Sequence, residues 1–275
     1  MRIIESVNLE RYYRFRTAIG LLNGVTVNKR QPPVIVSLTT TLERLPTIYL
    51  CVASLLCQSF VPDALLLWVP ETLKAQPIPK YLNRLKKKGL EIEWCRDVGP
   101  HTKLIHTLRD YPQAIIVTAD DDCLYPPTWL RDLYESYMHE PSYIHCHRAH
   151  FMELNAAGKL KRYRNWNHLS PGMVGPSSKL FPTGVGGILY PPTSLNQEVF
   201  NEAAYMVLCP KSDDIWFKAM ALLNHMSCKK VHPYHKEFPT IIGTQTKKLW
   251  SVNEMINDAQ IGAVFQKYDL YKALD

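Results

Sequence analysis

Four short apolar segments alternate with helix-forming segments in the first half of the chain, and this alternation strongly constrains the fold. The predicted strands cover residues 34–38, 65–69, 90–95 and 115–119. A predicted helix starts at Pro46 and has apolar side chains at helical spacing, which is typical of a helix packed on a sheet. Further helices are predicted over 79–88 and from about residue 102 to 108. Repeated β-α-β connections favour a mainly parallel sheet that is covered on both faces.

Three consecutive aspartates follow the fourth predicted strand, in the sequence Thr118-Ala-Asp-Asp-Asp122. Ligands of parallel sheets bind at the carboxyl ends of the strands, where the polar turns 39–44 and 101–103 are also expected. Two carboxylates about 5 Å apart repel each other by roughly 3 kcal/mol at an effective dielectric constant near 20. The cluster therefore predicts a bound cation at this edge of the sheet.

The alternation of side chains along a strand would direct Asp120 and Asp122 to one side and Asp121 to the other. Because oxygen ligands suit Mg²⁺ or Mn²⁺, the pair is predicted to hold one such ion together with water and substrate phosphates. The alternative is a solvated acidic turn that caps the helix beginning near Pro127.

The positive charge is concentrated at the start of the chain. The net charge is +7, and residues 1–30 contain six Lys and Arg residues against two Glu residues. Aromatic and aliphatic side chains are interleaved with these charges, which predicts contact with an anionic membrane surface or with a phosphate-bearing acceptor. A peripheral helix with a solvated basic face is the alternative. No nucleic-acid-binding motif accompanies the charge, so no nucleic-acid partner is predicted.

The chain has seven cysteines and no CxxC pair, which predicts reduced thiols buried as small hydrophobic residues. Its longest apolar runs are much shorter than the roughly 20 residues that cross a bilayer, and no signal-peptide pattern is found at the start. We therefore expect a cytoplasmic protein, with peripheral contact at the inner face of the cell membrane through its basic segment.

The pattern of the second half is less regular. A hairpin is predicted from residues 142–150 and 154–163, with its turn at 155–158. A span rich in glycine and proline follows at 171–192. Helices are then predicted at 195–205, 213–224 and 252–271, with a strand at 228–231 between the last two.

Together these segments resemble a nucleotide-sugar glycosyltransferase of the GT-A fold, close to the family 2 enzymes of bacterial surface polysaccharide assembly. The resemblance covers roughly residues 33–235 and rests on the motifs Val34-Ile-Val-Ser-Leu-Thr-Thr40, Thr118-Ala-Asp-Asp-Asp122 followed by Pro126-Pro-Thr-Trp-Leu130, Phe181-Pro-Thr-Gly-Val-Gly-Gly-Ile-Leu-Tyr-Pro-Pro192, and Ser212-Asp-Asp-Ile-Trp-Phe217. It implies an α/β, Rossmann-like fold with a mainly parallel central sheet flanked by helices and a smaller mixed sheet on the acceptor side.

The resemblance also implies a domain organisation. A basic helical segment at 1–30 precedes a single GT-A domain at 31–275. Within that domain, 31–140 is the nucleotide-binding half, 141–250 the acceptor and catalytic half, and 251–275 a C-terminal helix.

The implied function is transfer of a sugar, in the manner of a hexosyltransferase, from a nucleotide diphosphate sugar such as a UDP-sugar. The acceptor would be a glycan or lipid-linked glycan of lipopolysaccharide, capsule or a related polysaccharide. The residues implied in donor binding are Ser37, Thr39, Thr40, Arg44, His101, Lys103, Asp120, Asp121, Gly186 and Gly187. The metal ligands implied for Mn²⁺ or Mg²⁺ are Asp122 and Asp120, completed by His232 or His235.

An attacking hydroxyl needs a base, and Asp213 and Asp214 follow the acidic cluster by about 90 residues at a predicted helix start. By resemblance one of them, with Asp214 favoured, acts as the general base of an inverting displacement. The alternative is structural, because Ser212 as N-cap with acids in the first turn stabilises any helix. Two other functions stay open at this point, namely a sugar nucleotidyltransferase and a non-catalytic glycan-binding protein with a transferase fold.

Overall fold

The computed structural model describes residues 2–235, 237–244 and 249–274. It has an α/β architecture with a seven-stranded, mostly parallel sheet and a separate two-stranded antiparallel sheet. This confirms the predicted fold class. The chain divides into two compact units, one formed by 1–97, 102–134 and 237–246 and the other by 98–101, 135–236 and 247–275.

The first unit contains a fully parallel group of strands in the order β3-β2-β1-β4. These strands are β1 Val34–Thr39, β2 Ala64–Pro70, β3 Leu90–Cys95 and β4 Ile115–Thr118. Each matches a predicted strand to within two residues. The helices of this unit are α1 Arg2–Ala18, α2 Ile48–Leu55, α3 Lys80–Lys86 and α4 Thr102–Asp110, and α5 Trp129–His139 begins in it.

Helix α2 is more buried than its pattern predicts. One apolar stripe against the sheet is expected, yet all eight residues of the helix are buried. Both α1 and α3 pack against α2, so its outer side is covered as well. The N-terminal helix α1 is therefore part of the first unit and helps to cover α2.

The second unit contains β5 Ile144–Cys146, which pairs with β8 Ile188–Tyr190 in antiparallel and with β9 Cys228–Lys230 in parallel orientation. Strands β6 Ala149–Phe151 and β7 Leu180–Pro182 form the small antiparallel sheet. The helices of this unit are α6 Glu202–Leu208, α7 Asp213–Leu223 and α8 Leu249–Lys267.

The predicted hairpin of 142–150 with 154–163 is wrong in its strand pairing. Strand β5 pairs with β8 and β9, and β6 pairs with β7. The turn itself forms, because the Asn155 amide donates to the Lys159 carbonyl and a bridge joins Leu154 to Leu160. The alternation of apolar residues identifies a strand but not its partner, and here the partners are distant in sequence.

The predicted helix at 195–205 is divided in two. A 3₁₀ turn covers Gln197–Phe200, and α6 starts after Asn201, whose side chain accepts a hydrogen bond from the Ala204 amide. The Asn201 cap starts a new helix, so residues 195–205 do not form one continuous helix.

All seven cysteines are free and buried, as predicted. Trp129, Trp166 and Trp216 are all buried. None of the described helices combines the length and the apolar character needed to cross a membrane.

Candidate functional site

The ends of β1 and β4 bring the predicted donor-binding residues of the first unit together. Ser37 of β1 lies opposite Thr118 of β4 in a parallel pair. The residues that follow each strand, Thr40 on one side and the aspartates on the other, therefore emerge at the same edge of the sheet.

The three aspartates do not alternate as predicted. Strand β4 ends at Thr118, and Asp121 and Asp122 lie in a turn. Strand alternation does not extend into a turn, so Asp121 and Asp122 bind the same cationic side chain while Asp120 binds another. The prediction that Asp121 points away from a pair formed by Asp120 and Asp122 is wrong for this reason.

Arg44 neutralises two of the carboxylates. One guanidinium nitrogen donates to Asp121 and the other lies 3.1 Å from a carboxylate oxygen of Asp122. Thr40 donates its hydroxyl to the second oxygen of Asp121 at 2.9 Å. Both acids are buried, with 7% and 8% of their side chains exposed, whereas Arg44 is 32% exposed. The guanidinium therefore lies between the buried acids and solvent.

Lys103 neutralises the third carboxylate. Its ammonium group lies 2.7 Å from an oxygen of Asp120, whose side chain is 28% exposed. The Ser37 hydroxyl donates to the Lys103 carbonyl at 2.6 Å and also contacts the Thr107 hydroxyl at 2.6 Å. Ser37 is fully buried. It fixes the start of α4, so the structure gives it a positioning role in place of the predicted direct contact with the nucleotide.

Two contacts that the sequence does not reveal hold the backbone of the acidic turn. The buried Tyr125 hydroxyl accepts a hydrogen bond from the Asp120 amide at 2.8 Å. The Ile241 amide donates to the Asp122 carbonyl at 2.8 Å. Tyr125 follows the aspartates closely enough to be noticed, but Ile241 is more than a hundred residues away and carries no local signal.

Burial and the repulsion between neighbouring carboxylates disfavour the charged forms of Asp121 and Asp122. Burial raises the pKa of Asp122 to about 6, and the negative charge of Asp120 adds to this effect while Arg44 opposes it. Burial also raises the pKa of Asp121, again against the attraction of Arg44. A carboxylate whose charged form is disfavoured in this way gains from an added cation.

The donor set decides which kind of cation fits. Among residues 2–235, 237–244 and 249–274, no group of three or more His, Cys, Asp and Glu side chains is placed to hold a metal ion. One or two carboxylates are the usual protein share of a Mg²⁺ site that nucleotide phosphates and water complete. Asp120 and Asp122, whose negative charges repel each other, are the carboxylates available for that share, and no cage made of protein ligands alone is found in the described part of the chain.

Two further predicted donor-binding residues form hydrogen bonds with groups other than the acidic turn. The Thr39 hydroxyl donates to the Trp68 carbonyl at 3.0 Å, and the side chain is half-buried at the end of β1. His101 belongs to the second unit and is fully buried. A ring nitrogen of His101 lies 3.0 Å from the Cys209 carbonyl, and the ring stacks on Tyr205. This is the environment of a core residue, so the structure does not support a nucleotide contact for His101.

The predicted base lies at the start of α7 in the second unit. Asp214 is half-buried, and its two oxygens accept from the Gly184 amide at 3.0 and 3.2 Å. Asp213 is buried. The Ser212 hydroxyl makes no cap bond to α7 and instead donates to Asn257 at 2.8 Å. The cap hydrogen bond of the structural alternative is therefore not made, whereas the acids that it places in the first turn of α7 are present.

The glycine-rich segment packs tightly next to Arg148. A Cβ atom at Gly186 would lie 2.7 Å from Cβ of Arg148 and 3.0 Å from its backbone nitrogen. Gly187 has a φ of 87°, which residues with a side chain resist. Arg148 donates to the Thr183 hydroxyl at 2.5 Å. The glycines thus hold the loop that binds Asp214 close to β6, which is a structural reason for their presence.

The two histidines predicted as metal ligands do not form a metal site within the described residues. His232 is exposed. Burial lowers the pKa of His235 to about 4, and the positive charge of Arg148 contributes to this shift. Since a neutral imidazole is the form that binds a metal ion, the low pKa does not exclude His235, and ligation by His232 or His235 stays a prediction.

A scan against protein-family models finds no match, and a search of curated proteins finds none either. Solved structures do resemble this chain. The mannosyltransferase PcManGT from Pyrobaculum calidifontis, in complex with GDP-Man and Mn²⁺, has a TM-score of 0.52 at 15% identity, and the match covers 99% of this chain and 78% of that one.

Two weaker likenesses add nothing to the fold assignment. The structure of S. aureus TarS 1–349 has a TM-score of 0.44 at 14% identity and covers 75% of this chain and 59% of that one. A CMP:2-keto-3-deoxy-manno-octonic acid synthetase complexed with CTP has a TM-score of 0.40 at 11% identity, with 82% and 95% covered. What the comparisons establish is therefore a fold shared with the mannosyltransferase.

Proposed function

We propose that this protein is a glycosyltransferase that takes its sugar from a nucleotide diphosphate sugar. The observation that carries the proposal is the cluster of Asp120, Asp121 and Asp122 with Arg44 and Lys103 at the carboxyl ends of parallel strands. This is where parallel α/β sheets bind ligands. The cluster combines oxygen ligands for a cation with basic groups that complement a diphosphate.

In this proposal each residue of the cluster has a separate role in donor binding. Asp122, together with Asp120, would hold a Mn²⁺ or Mg²⁺ ion, whose chemistry is to neutralise charge on a departing diphosphate. Arg44 is partly exposed and would present its guanidinium to phosphate oxygens while its positive charge favours the charged form of Asp121. Lys103 would supply a second positive charge beside Asp120.

In this proposal Asp214 is the general base. Both oxygens of its carboxylate accept from the Gly184 amide, which fixes the orientation of the side chain. A carboxylate within hydrogen-bond reach of an acceptor hydroxyl removes its proton as the sugar is transferred, and a single displacement inverts the anomeric carbon. Asp213 is buried beside it and is the weaker candidate. The acceptor class, a glycan or lipid-linked glycan of a surface polysaccharide, rests on the sequence resemblance alone.

The first test is nucleotide binding. Thermal unfolding of the protein with Mn²⁺ or Mg²⁺ is measured against UDP-, GDP- and CMP-sugars, since a ligand at 100 times its Kd stabilises the folded state by about 2.7 kcal/mol. Asp122→Asn should abolish the stabilisation, whereas Asp132→Asn, a matched change on α5, should not alter it. Failure of every nucleotide sugar to shift the unfolding temperature would contradict the proposal.

The second test identifies the reaction. A glycosyltransferase releases a nucleoside diphosphate, a sugar nucleotidyltransferase makes or consumes pyrophosphate, and a glycan-binding protein releases neither. Asp214→Asn keeps an oxygen for the Gly184 amide, so donor binding should persist while turnover falls by a factor of about 10² to 10⁴. Unchanged turnover in that variant would remove Asp214 from the mechanism.

A further inference from the structure

The buried side of helix α1 is mostly polar, whereas the buried side of an ordinary amphipathic helix is apolar. The residues that it turns toward the first unit are Ser6, Glu10, Tyr13 and Thr17, and all four are buried. Three of them are polar or charged. Glu10 is held there by the Ile242 amide at 2.7 Å, and the Tyr13 hydroxyl donates to the Tyr125 carbonyl at 3.2 Å. Polar contacts of this kind fix the orientation of the helix.

The exposed side of α1 is apolar mainly in its C-terminal half. Phe15 is 62% exposed, and the exposed apolar residues in this half and just beyond the helix are Tyr12, Phe15, Ile19 and Leu21. Ile3 and Ile4 are exposed at the other end, and Glu5, Asn8 and Arg11 are exposed between the two groups. Single exposed apolar residues are ordinary on protein surfaces, but a group of this size marks an interaction surface.

Exposed basic residues lie on α1 and on its neighbour α3. Arg11 is exposed on the outer side of α1, and Arg14 is 56% exposed beside Glu10. Helix α3 packs against α1 and has the sequence KYLNRLK, which contains three basic residues and no acid. Lys80, Arg84 and Lys86 of α3 are exposed. The outer side of α1 with these residues of α3 is called the α1 face below.

We propose that the α1 face binds the surface of a membrane that contains anionic lipids. Apolar side chains next to Arg and Lys suit such a surface. The apolar side chains enter the boundary between head groups and acyl chains, while the cationic side chains contact the anionic head groups. A helix of 17 residues is about 25 Å long, so it lies along a membrane surface with Ile4 and Ile19 at opposite ends. The inference does not depend on the proposed function.

The test is flotation of the full chain with vesicles. We expect the protein to float with phosphatidylcholine vesicles that contain 30% phosphatidylglycerol and to stay unbound with pure phosphatidylcholine. Each basic residue near an anionic surface contributes about fivefold in binding, so Arg11→Gln with Lys86→Gln should weaken binding about thirtyfold. Phe15→Ser with Ile19→Ser should weaken it at least tenfold, since both side chains would leave the acyl boundary.

Matched controls lie on the second unit. Val207 is 79% exposed and Lys272 has an 82% exposed side chain, so Val207→Ser and Lys272→Gln change the same kinds of group at residues that do not belong to the α1 face. Circular dichroism of every variant establishes that it is folded. Equal binding to both vesicle types, or control variants that lose as much binding as the α1 variants, overturns the proposal. A dimer in analytical ultracentrifugation that Phe15→Ser with Ile19→Ser dissociates also overturns it, because a second copy would then cover the α1 face.

Discussion

Acid should destabilise this protein through His150, a residue of β6 that must stay neutral in the folded state. The side chain is 2% exposed, and its Nδ1 accepts a hydrogen bond from the Leu169 amide at 2.9 Å. A protonated Nδ1 cannot accept that bond. Burial lowers the pKa of His150 to about 2, and the positive charge of Arg148 adds to the shift.

The magnitude follows from proton linkage. An unfolded histidine has a pKa of 6.5 and binds a proton as the pH falls below that value, whereas folded His150 does not. The stability that neutral His150 provides is therefore complete above pH 6.5 and is lost as the pH falls. Between pH 7.5 and 5.0 this single group should cost about 2 kcal/mol of the free energy of unfolding.

Urea denaturation at the two pH values, followed by tryptophan fluorescence, measures this loss. His150→Asn places an amide oxygen near the position of Nδ1 and does not titrate, so it should lower stability at both pH values yet lose about 2 kcal/mol less than the wild type on acidification. His232→Asn, a change at an exposed histidine, is the control. Equal losses in the wild type and His150→Asn would refute the reasoning.

Two substitutions test the packing of the site. Arg44→Gln leaves the buried carboxylates of Asp121 and Asp122 without their main cation; because the guanidinium is one-third exposed, we expect a loss of about 1–3 kcal/mol by chemical denaturation, and weaker nucleotide binding. Gly186→Ala forces a methyl group to within 2.7 Å of Cβ of Arg148, so the free energy of unfolding should fall by about 1–3 kcal/mol in the same assay.

Each of these changes has a neutral counterpart. Lys74→Gln removes one partner of an exposed ion pair with Glu71 and should stay within about 0.5 kcal/mol of the wild type. Gly262 lies in α8 with open space where a Cβ would be, so Gly262→Ala should raise stability by about 0.5–1 kcal/mol. Larger losses at Lys74 than at Arg44, or at Gly262 than at Gly186, would contradict this account of the site.

Local patterns account well for the first unit. Strands β1, β2 and β4 are short apolar runs, β3 alternates apolar residues with glutamates, and a helix separates each strand from the next, so the pattern predicts a parallel sheet. The pattern does not predict that β4 pairs with β1. The acidic cluster is equally visible, because Asp120 to Asp122 directly follow a buried strand. In the second unit the partners of β5 lie about 40 and 80 residues away in the chain, and no local pattern names them.

The sequence by itself determined the α/β class, the edge of the sheet at which charged residues collect, and the acids at the start of α7. Only the tertiary structure decided how those charges are paired. Arg44 binds two aspartates and Lys103 binds the third, while Ser37 and His101 are buried. Only the tertiary structure likewise shows that apolar residues of α1 such as Phe15 are exposed. The physical reason is that periodicity shows which side chains share a face, whereas burial and charge pairing depend on residues far away in the chain.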